Sequence, residues 1–456
     1  MNNETVKVNG IKWGPFRLRI PFIHIKFRSA EFLQGLVISG ATAFAGIPIA
    51  TGMGLTFDEG VALSFIAGTL IASGPIIFGV PFAPGWVTPA YPIVIGVFAT
   101  MGYYLPSSPG AEYQVETFQF MSAICIEFTL LVAFLGMTGL SEKIVNNIPN
   151  TLKSGIILGA AIAAFYQVFF KEFDAKYMEQ PIAMTVALVL CILTTFSDPF
   201  KRLAAKNIIF QKIASLGLLP GFLIAGIVAY LVGEATLDIT WGFAFPDVIT
   251  LFERTSPLSI GFPSFGMYID ALPLVIIGYI LLFGDIITGQ EILNDAQKNR
   301  PDEPININSN KFHLSIAIRN LIGLIFNPNF PTQGALWTGV HVVVAERWKK
   351  GPNEMPSLFD GLGSYYLMAL PFLYVTLPFV TLMEPLVNIA LNLTLVLTGF
   401  ACAYVALAIP KTNAEMSSAV LIALLIAFTG QYVWLGLLVG IILSFLVVGK
   451  DQRNNN

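Results

Sequence analysis

Between Asp360 and Lys450 the chain carries only three charged residues, Glu384, Lys411 and Glu415. A stretch that poor in charge cannot form the skin of a water-soluble globule. It does suit a bilayer, where a spanning helix needs about 20 mostly apolar residues. The rest of the 456 residues has the same character. Apolar residues make up 55% and charged residues 12%, against about 25% charged in soluble proteins. The net charge of −3 offers no basic face to nucleic acid. Cys125, Cys191 and Cys402 lie within apolar runs and lack the spacing of a disulfide framework or a metal site.

Fourteen apolar segments qualify as spans, numbered in chain order: 31–56, 59–79, 84–103, 112–139, 149–168, 179–196, 217–233, 268–296, 313–327, 331–345, 359–381, 385–408, 413–428 and 431–448. The expected fold class is therefore an all-α integral membrane protein with 14 transmembrane helices. Spans 3 and 10 follow the Pro-rich stretches VPFAPGW and NPNFPTQ, and are predicted to be short helices that begin partway into the membrane. The first 30 residues hold no apolar core of signal-peptide type. No soluble domain is expected after the last span.

Charge placement orients the chain. With the N-terminus inside, 21 of the 25 Lys and Arg fall on the cytoplasmic side. Lys171, Lys176 and Arg254 fall outside, and Arg319 lies within span 9. The positive-inside rule then places both termini in the cytoplasm. The expected location is the plasma membrane, a bacterial inner membrane, crossed many times.

Two stretches recur. FAGIPIATG in span 1 matches LFGDIITG in span 8, which sets Pro48 opposite Asp285. FAPGWVT at span 3 matches FPTQGALWT at span 10, which sets Pro84 opposite Pro331. The similar offsets predict two copies of seven helices. Because seven is odd, the second copy enters from the opposite side, and this 7+7 inverted repeat with facing broken helices is a transporter architecture. The expected organisation is a cytoplasmic tail at 1–30, a first repeat at 31–233, an outer loop at 234–267, a second repeat at 268–448 and a tail at 449–456.

A half-helix that starts in mid-membrane offers free N–H groups and its positive dipole end to the midplane. The starts of spans 3 and 10 are thus candidate donor clusters for an anionic or acceptor-rich solute. Trp86 and Trp337 lie at matching places, where they either stack on a planar ring or simply pack. Asp285 sits near the middle of span 8, where a carboxylate is costly unless it serves a site. It can bind a solute N–H, carry a coupling proton with Thr288 one turn on, or hydrogen-bond to a neighbouring helix. Glu127 in span 4 is either a second proton site or a packing contact. Arg319 is expected to pair with Glu127 or Asp285, or to snorkel. His341 in span 10 reads as structural. The Gly155–Gly159 and Gly436–Gly440 pairs have the small-xxx-small spacing of close helix contacts. No nucleotide-binding loop is present, so uphill transport would draw on an ion gradient. No cofactor or metal site is expected, and the three His are scattered. A membrane enzyme needs a polar cluster, and the best available, around Gln290–Asp295, has no His or Cys partner. Paired broken helices favour alternating access over a channel.

The stretch TGLSEKIVNNIPNTLKSGIILGAAIAAF (Thr138 to Phe165) resembles the junction of helices 4 and 5 in the nucleobase–ascorbate transporter family. PFAPGWVTPAY (Pro81 to Tyr91) and LFGDIITGQEIL (Leu282 to Leu293) are similar to the third-helix opening and eighth helix of its hypoxanthine/guanine branch. The resemblance implies a core domain of helices 1–4 and 8–11, a gate domain of helices 5–7 and 12–14, and an elevator-like motion of the core. It implies a proton symporter for a purine or uracil, with the proton expected ahead of sodium, and a homodimer. Asp285 would take the eighth helix's acidic role. Gly85, Trp86, Thr88, Thr332, Gln333, Gly334, Ala335 and Trp337 would line the substrate. One departure stands out: the family's tenth-helix Glu is replaced here by Ala335 or Leu336, with Gln333 or Thr332 as substitutes. The alternative is a small-anion transporter of the sulfate-permease type, which shares the fold.

Overall fold

The computed structural model describes residues 10–36, 50, 53–86, 113–146, 149–171, 173–207, 209–210, 213, 219–236, 238–243, 245–326, 328, 333–366, 376–428 and 433–447. Most of span 1 and of span 3, with Thr88, and residue Thr332 lie outside these. Apolar runs between charged or Pro/Gly breaks become helices close to where they are expected. Span 2 is Phe57–Ile76, span 4 Val115–Thr138, span 5 Asn150–Tyr166, span 6 Pro181–Phe196 and span 7 Leu219–Leu231. Span 8 is Phe265–Gln297, span 9 Ser309–Phe326, span 12 Val387–Ala408, span 13 Asn413–Phe428 and span 14 Val433–Leu446. The described part of span 11 forms the helices Leu358–Tyr366 and Leu377–Met383.

Among the described residues, four helices are long and apolar enough to cross a bilayer alone: Asp58–Ile76, Val115–Thr138, Asn150–Phe170 and Leu274–Gln297. A fifth forms if Pro181–Phe196 is joined to Asp198–Ala204, which bends away by 63°. Span 10 departs from expectation. Its helix is Thr338–Trp348, starting seven residues after the predicted 331. The residues before it are extended because their backbone pairs with span 3 instead of with themselves.

The helices pack around three buried clusters. Spans 2, 4, 8, 9, 10 and 11 surround the largest and form one bundle. Spans 6, 7 and 12 enclose the second and spans 5, 12, 13 and 14 the third, which span 12 joins into the other bundle, with Val61 of span 2 and Ile287 of span 8 reaching in. These correspond to the expected core and gate. In the gate, small residues bring helices together. A Cβ added at Gly155 would lie 2.6 Å from Ile422, and one at Gly159 would lie 3.0 Å from Ile426. Gly440 meets Leu152 in the same way. Without a hydrophobic drive between helices in lipid, such close approach is a main source of association.

Polar groups fasten the helix ends. Thr56 and Glu59 form a capping box at the start of span 2. Arg254, from the loop helix Val248–Thr255, pairs with Glu59 through one nitrogen at 2.8 and 2.6 Å and lies over the Tyr113 ring. Glu234 accepts from the Ile182 and Ala183 N–H groups at the start of span 6.

The expected N-terminal tail is folded from Gly10 onward. Strands β1 (Ile11–Trp13) and β2 (Phe16–Leu18) form an antiparallel hairpin, followed by the short helix Ser29–Gln34. This strap is bonded to the core. Lys26 N–H donates to Asp360, Arg28 N–H donates to Ser364, and Arg347 pairs with Glu31.

At the same end of the core, Arg300 is fully buried and holds the loop 298–308 against 349–357. It donates to the Trp348, Met355 and Pro356 carbonyls and forms a fork with Asp302 at 2.8 Å on both arms. Beside it Glu303 accepts from Trp348, Ser357 and the Leu358 N–H. Burial pushes the Glu303 carboxyl above its ordinary value, against the pull of these donors and of Arg300. The raised pKa means that the charged form of Glu303 costs stability as pH rises through its folded value. Arg300→Gln is therefore expected to destabilise the protein by about 3–5 kcal/mol, seen as earlier melting in detergent. The deficit should shrink from pH 8 to pH 5, as protonation removes the Glu303 charge left behind; a deficit independent of pH would contradict this account.

Candidate functional site

The site is built on two extended strips crossing inside the core bundle. Gly334 N–H donates to Gly85 O at 2.8 Å, and Trp337 N–H donates to Ala83 O at 2.7 Å. This antiparallel pairing satisfies backbone groups that no helix serves, a requirement for irregular chain at membrane depth. Gly85 is needed for the approach: a Cβ there would lie 2.8 Å from the Trp337 Cβ and 3.1 Å from the Leu336 carbonyl.

Side chains of spans 9 and 11, backbone carbonyls of spans 2 and 8, and His341 of span 10 itself hold the crossing. His341 Nδ1 accepts from Ala83 N–H at 3.2 Å, and its Nε2 lies 3.3 Å from the Gly289 carbonyl in span 8. An acceptor at Nδ1 and a carbonyl opposite Nε2 define the neutral imidazole with its proton on Nε2. Phe82 packs on Phe312 with ring centroids 4.0 Å apart, and fills the space a Cβ at Gly289 would need. Tyr366 O–H donates to Pro84 O at 2.7 Å. Asn320 takes both backbone groups of Gln333, donating to its carbonyl at 3.0 Å and accepting its N–H at 3.3 Å. The Gln333 amide reaches the Ala67 carbonyl in span 2. Ala335 and Leu336 are buried in the core.

Arg319 is 1% exposed behind this crossing. It donates to the Gly334 carbonyl at 3.1 Å, to Gln333 Oε1 at 3.4 Å and to the Ser315 carbonyl at 3.3 Å. The expected pairing with Glu127 or Asp285, or snorkelling, is not found. Its partners among the described residues are neutral oxygens, because the span 10 break turns its carbonyls toward span 9.

Asp285 shares the side of span 8 that carries Leu282, Ile292 and Ala296 into the core cluster, whereas Gly284 and Ile287 turn toward span 5, Gly284 with 3.1 Å between its added Cβ and Ile156. Cys402 of span 12 is within its electrostatic reach. Asp285 Oδ2 is removed from solvent and meets no hydrogen-bond donor among the described residues. Thr288 Oγ1 donates to its own helix at Gly284 O, 2.9 Å away. Trp337 touches both the core and the gate clusters, so it stands at the boundary between bundles.

Trp337 N–H pairs with Ala83 O while its Cβ lies against Gly85, so Trp337 stands beside the end of the strip that carries Trp86. One grouping expected from the sequence is revised. Glu127 is within electrostatic reach of Tyr268, which lies about 25 Å along span 8 from Asp285 at 1.5 Å per residue. Its helix face also carries the exposed Leu130 and Phe134. Glu127 Oε2 is likewise without a partner, but it is not part of one cluster with Asp285. Asn320, Tyr366 and Phe82 were not singled out beforehand; only the break at span 10 hinted that neighbours must serve its backbone.

Among the described residues, one ion pair crosses between the bundles. Lys153 Nζ, at the start of span 5, lies 3.4 Å from Glu291 Oε1, near the end of span 8.

No protein-family model and no curated protein sequence matches the chain. Solved structures do. SLC26A9 matches with a TM-score of 0.53 and 15% identity over 92% of this chain and 65% of that one. The murine Solute Carrier 26 family member A9 anion transporter, in its inward-facing state, matches with a TM-score of 0.50 and 16% identity over 94% and 70%. The transmembrane domain of a cyanobacterium bicarbonate transporter, BicA, gives 0.47 and 16% over 91% and 98%. The chain thus has the fold of SLC26A9 and spans about two thirds of that protein's length.

Gly85→Ala tests the crossing. The added methyl would overpack it at a cost of about 1–3 kcal/mol, so the protein should melt several degrees earlier in detergent while unfolding stays cooperative. An unchanged melting temperature would show that the approach at Gly85 is not needed.

Proposed function

We propose that the protein is a secondary active transporter of a small anion, in which the core bundle moves against the gate like an elevator. The observation that carries this reading is Arg319. A guanidinium with only neutral acceptors among the described residues, buried behind the span 10 break, leaves positive charge uncompensated by them where the span 10 helix also begins. Both favour an anion at the crossing. The fold shared with SLC26A9, one structure of which is described as an anion transporter, supports the same reading. Asp285, whose Oδ2 is buried without a hydrogen-bond partner among the described residues, would carry the coupling cation, a proton or sodium.

A nucleobase is the second reading, favoured by one observation. The unpartnered Asp285 carboxyl is suited to a solute N–H, as in the family the sequence resembles. Competition decides between them. Proteoliposome uptake should be blocked by bicarbonate, sulfate or a dicarboxylate and not by purines or uracil; the reverse pattern would establish the nucleobase reading. Arg319→Gln should weaken anion binding about tenfold or more, the equivalent of about 1.4 kcal/mol, while Arg319→Lys keeps part of it. Full anion affinity in Arg319→Gln would remove the basis for the proposal.

The Lys153–Glu291 pair would have to part whenever the core shifts against the gate. Lys153→Glu alone should lower uptake severalfold, and adding Glu291→Lys should restore most of it. Failure of the swap to recover uptake would mean that the contact does not couple the bundles.

A further inference from the structure

The end of span 2 opens into a turn whose carbonyls are claimed by other segments. Arg19 N–H donates to Ile76 O at 2.8 Å, Trp13 Nε1 to Ile77 O at 2.7 Å, and Lys311 Nζ of span 9 to Gly79 O at 3.1 Å. Gly79 has a φ of +61°, and a Cβ added there would lie 2.5 Å from Arg19 NH1 and 3.1 Å from the Arg17 Cβ. Three cationic residues therefore converge on one turn. Arg19 is 5% exposed and its guanidinium lies flat on the Phe359 ring, 3.3 Å from the centroid. Its NH1 is buried without an acceptor, and neither Arg19 nor Lys311 has an ion pair among the described residues. The carboxylate whose charge reaches Arg19 is Glu303, already committed to Trp348, Ser357 and Leu358. Burial pushes the Arg19 guanidinium down to about 10, and the charge of Arg17 pushes it the same way. The negative pole of span 2 offsets part of this charge and, at about half an elementary charge, cannot offset three cations.

The outward side of the same strap is apolar. Ile11, Trp13, Phe22 and Ile23 are 50%, 40%, 74% and 72% exposed. Such a surface beside spanning helices is stable at the bilayer interface, where aromatic and basic side chains sit among lipid headgroups. The cation cluster then lies at headgroup depth.

We propose that the strap and the turn after span 2 form a binding site for the phosphate of an anionic membrane lipid, with Arg17 and Lys311 at the rim and Arg19 as its floor. Phosphate oxygens would accept charge-assisted hydrogen bonds from the Arg19 nitrogen that has no acceptor among the described residues and from Lys311 Nζ, with Arg17 adding its charge at the rim.

Native mass spectrometry of the full chain, delipidated in detergent and titrated with phosphatidylglycerol or phosphatidylcholine, tests the site. Phosphatidylglycerol should be retained in preference to phosphatidylcholine. Arg17→Gln/Lys311→Gln should bind it about tenfold more weakly, with Lys12→Gln, an exposed neighbour, as the unaffected control. The charge-conserving Arg17→Lys/Lys311→Arg should keep binding, which separates loss of charge from loss of folding. Equal retention of the two lipids, unchanged binding in the Gln variant, or loss in the charge-conserving variant would overturn the proposal. Inorganic phosphate should leave the melting temperature unmoved; a rise that the Gln variant abolishes would overturn the lipid source and make this a site for free anions.

Discussion

The architecture of the core depends on one backbone contact, the pairing of Ala83 and Gly85 with Gly334 and Trp337. Two chains that stop being helical inside a membrane each expose peptide groups that lipid cannot satisfy. Crossed against each other they satisfy part of this demand, and the surrounding side chains meet more of it. His341, Tyr366 and Asn320 each spend a side-chain hydrogen bond on backbone of the crossing. The polar residues of spans 9 to 11 serve mainly to make irregular backbone tolerable in the middle of the protein. Asp285 is different, because its Oδ2 meets no partner among the described residues.

Small residues bring helices together in both bundles. Glycines at 155, 159 and 440 draw spans 5, 13 and 14 together, and Gly85, Gly136 and Gly289 do the same in the core around large side chains such as Phe82 and Phe128. Between the bundles lie Trp337, Ile287 of span 8 and the Lys153–Glu291 pair. A boundary made of few polar contacts and adaptable aromatic surface is the kind that permits relative movement.

Much of this was legible beforehand because the spans are set by charge spacing and the breaks by Pro and Gly. Helix ends at Thr138, Phe196, Phe326 and Ala408 fall within a residue or so of where composition changes. The start of span 10 was misplaced because Gln333–Trp337 is apolar enough to continue a helix; only its partner strip, distant in sequence, makes it extended. Arg319 was recognised as unusual, yet its partners are backbone carbonyls, which carry no sequence signature. The strap was missed for a similar reason. Its segment from Arg19 to Arg28 is held by residues such as Ile76, Asp360 and Ser364, hundreds of positions away in some cases.

That strap gives the molecule a built-in pair of markers. Residues from Gly10 are fastened to spans 2 and 11 of the core, whereas the last helix, Val433–Leu446, belongs to the gate through its packing on spans 5 and 13. The two ends of the chain therefore report on two different bodies. Gly14, at the tip of the hairpin with nothing within 4 Å of an added Cβ, offers an unobstructed attachment point on the first. A probe there and another beyond Leu446 would read the displacement between the bundles as a single distance.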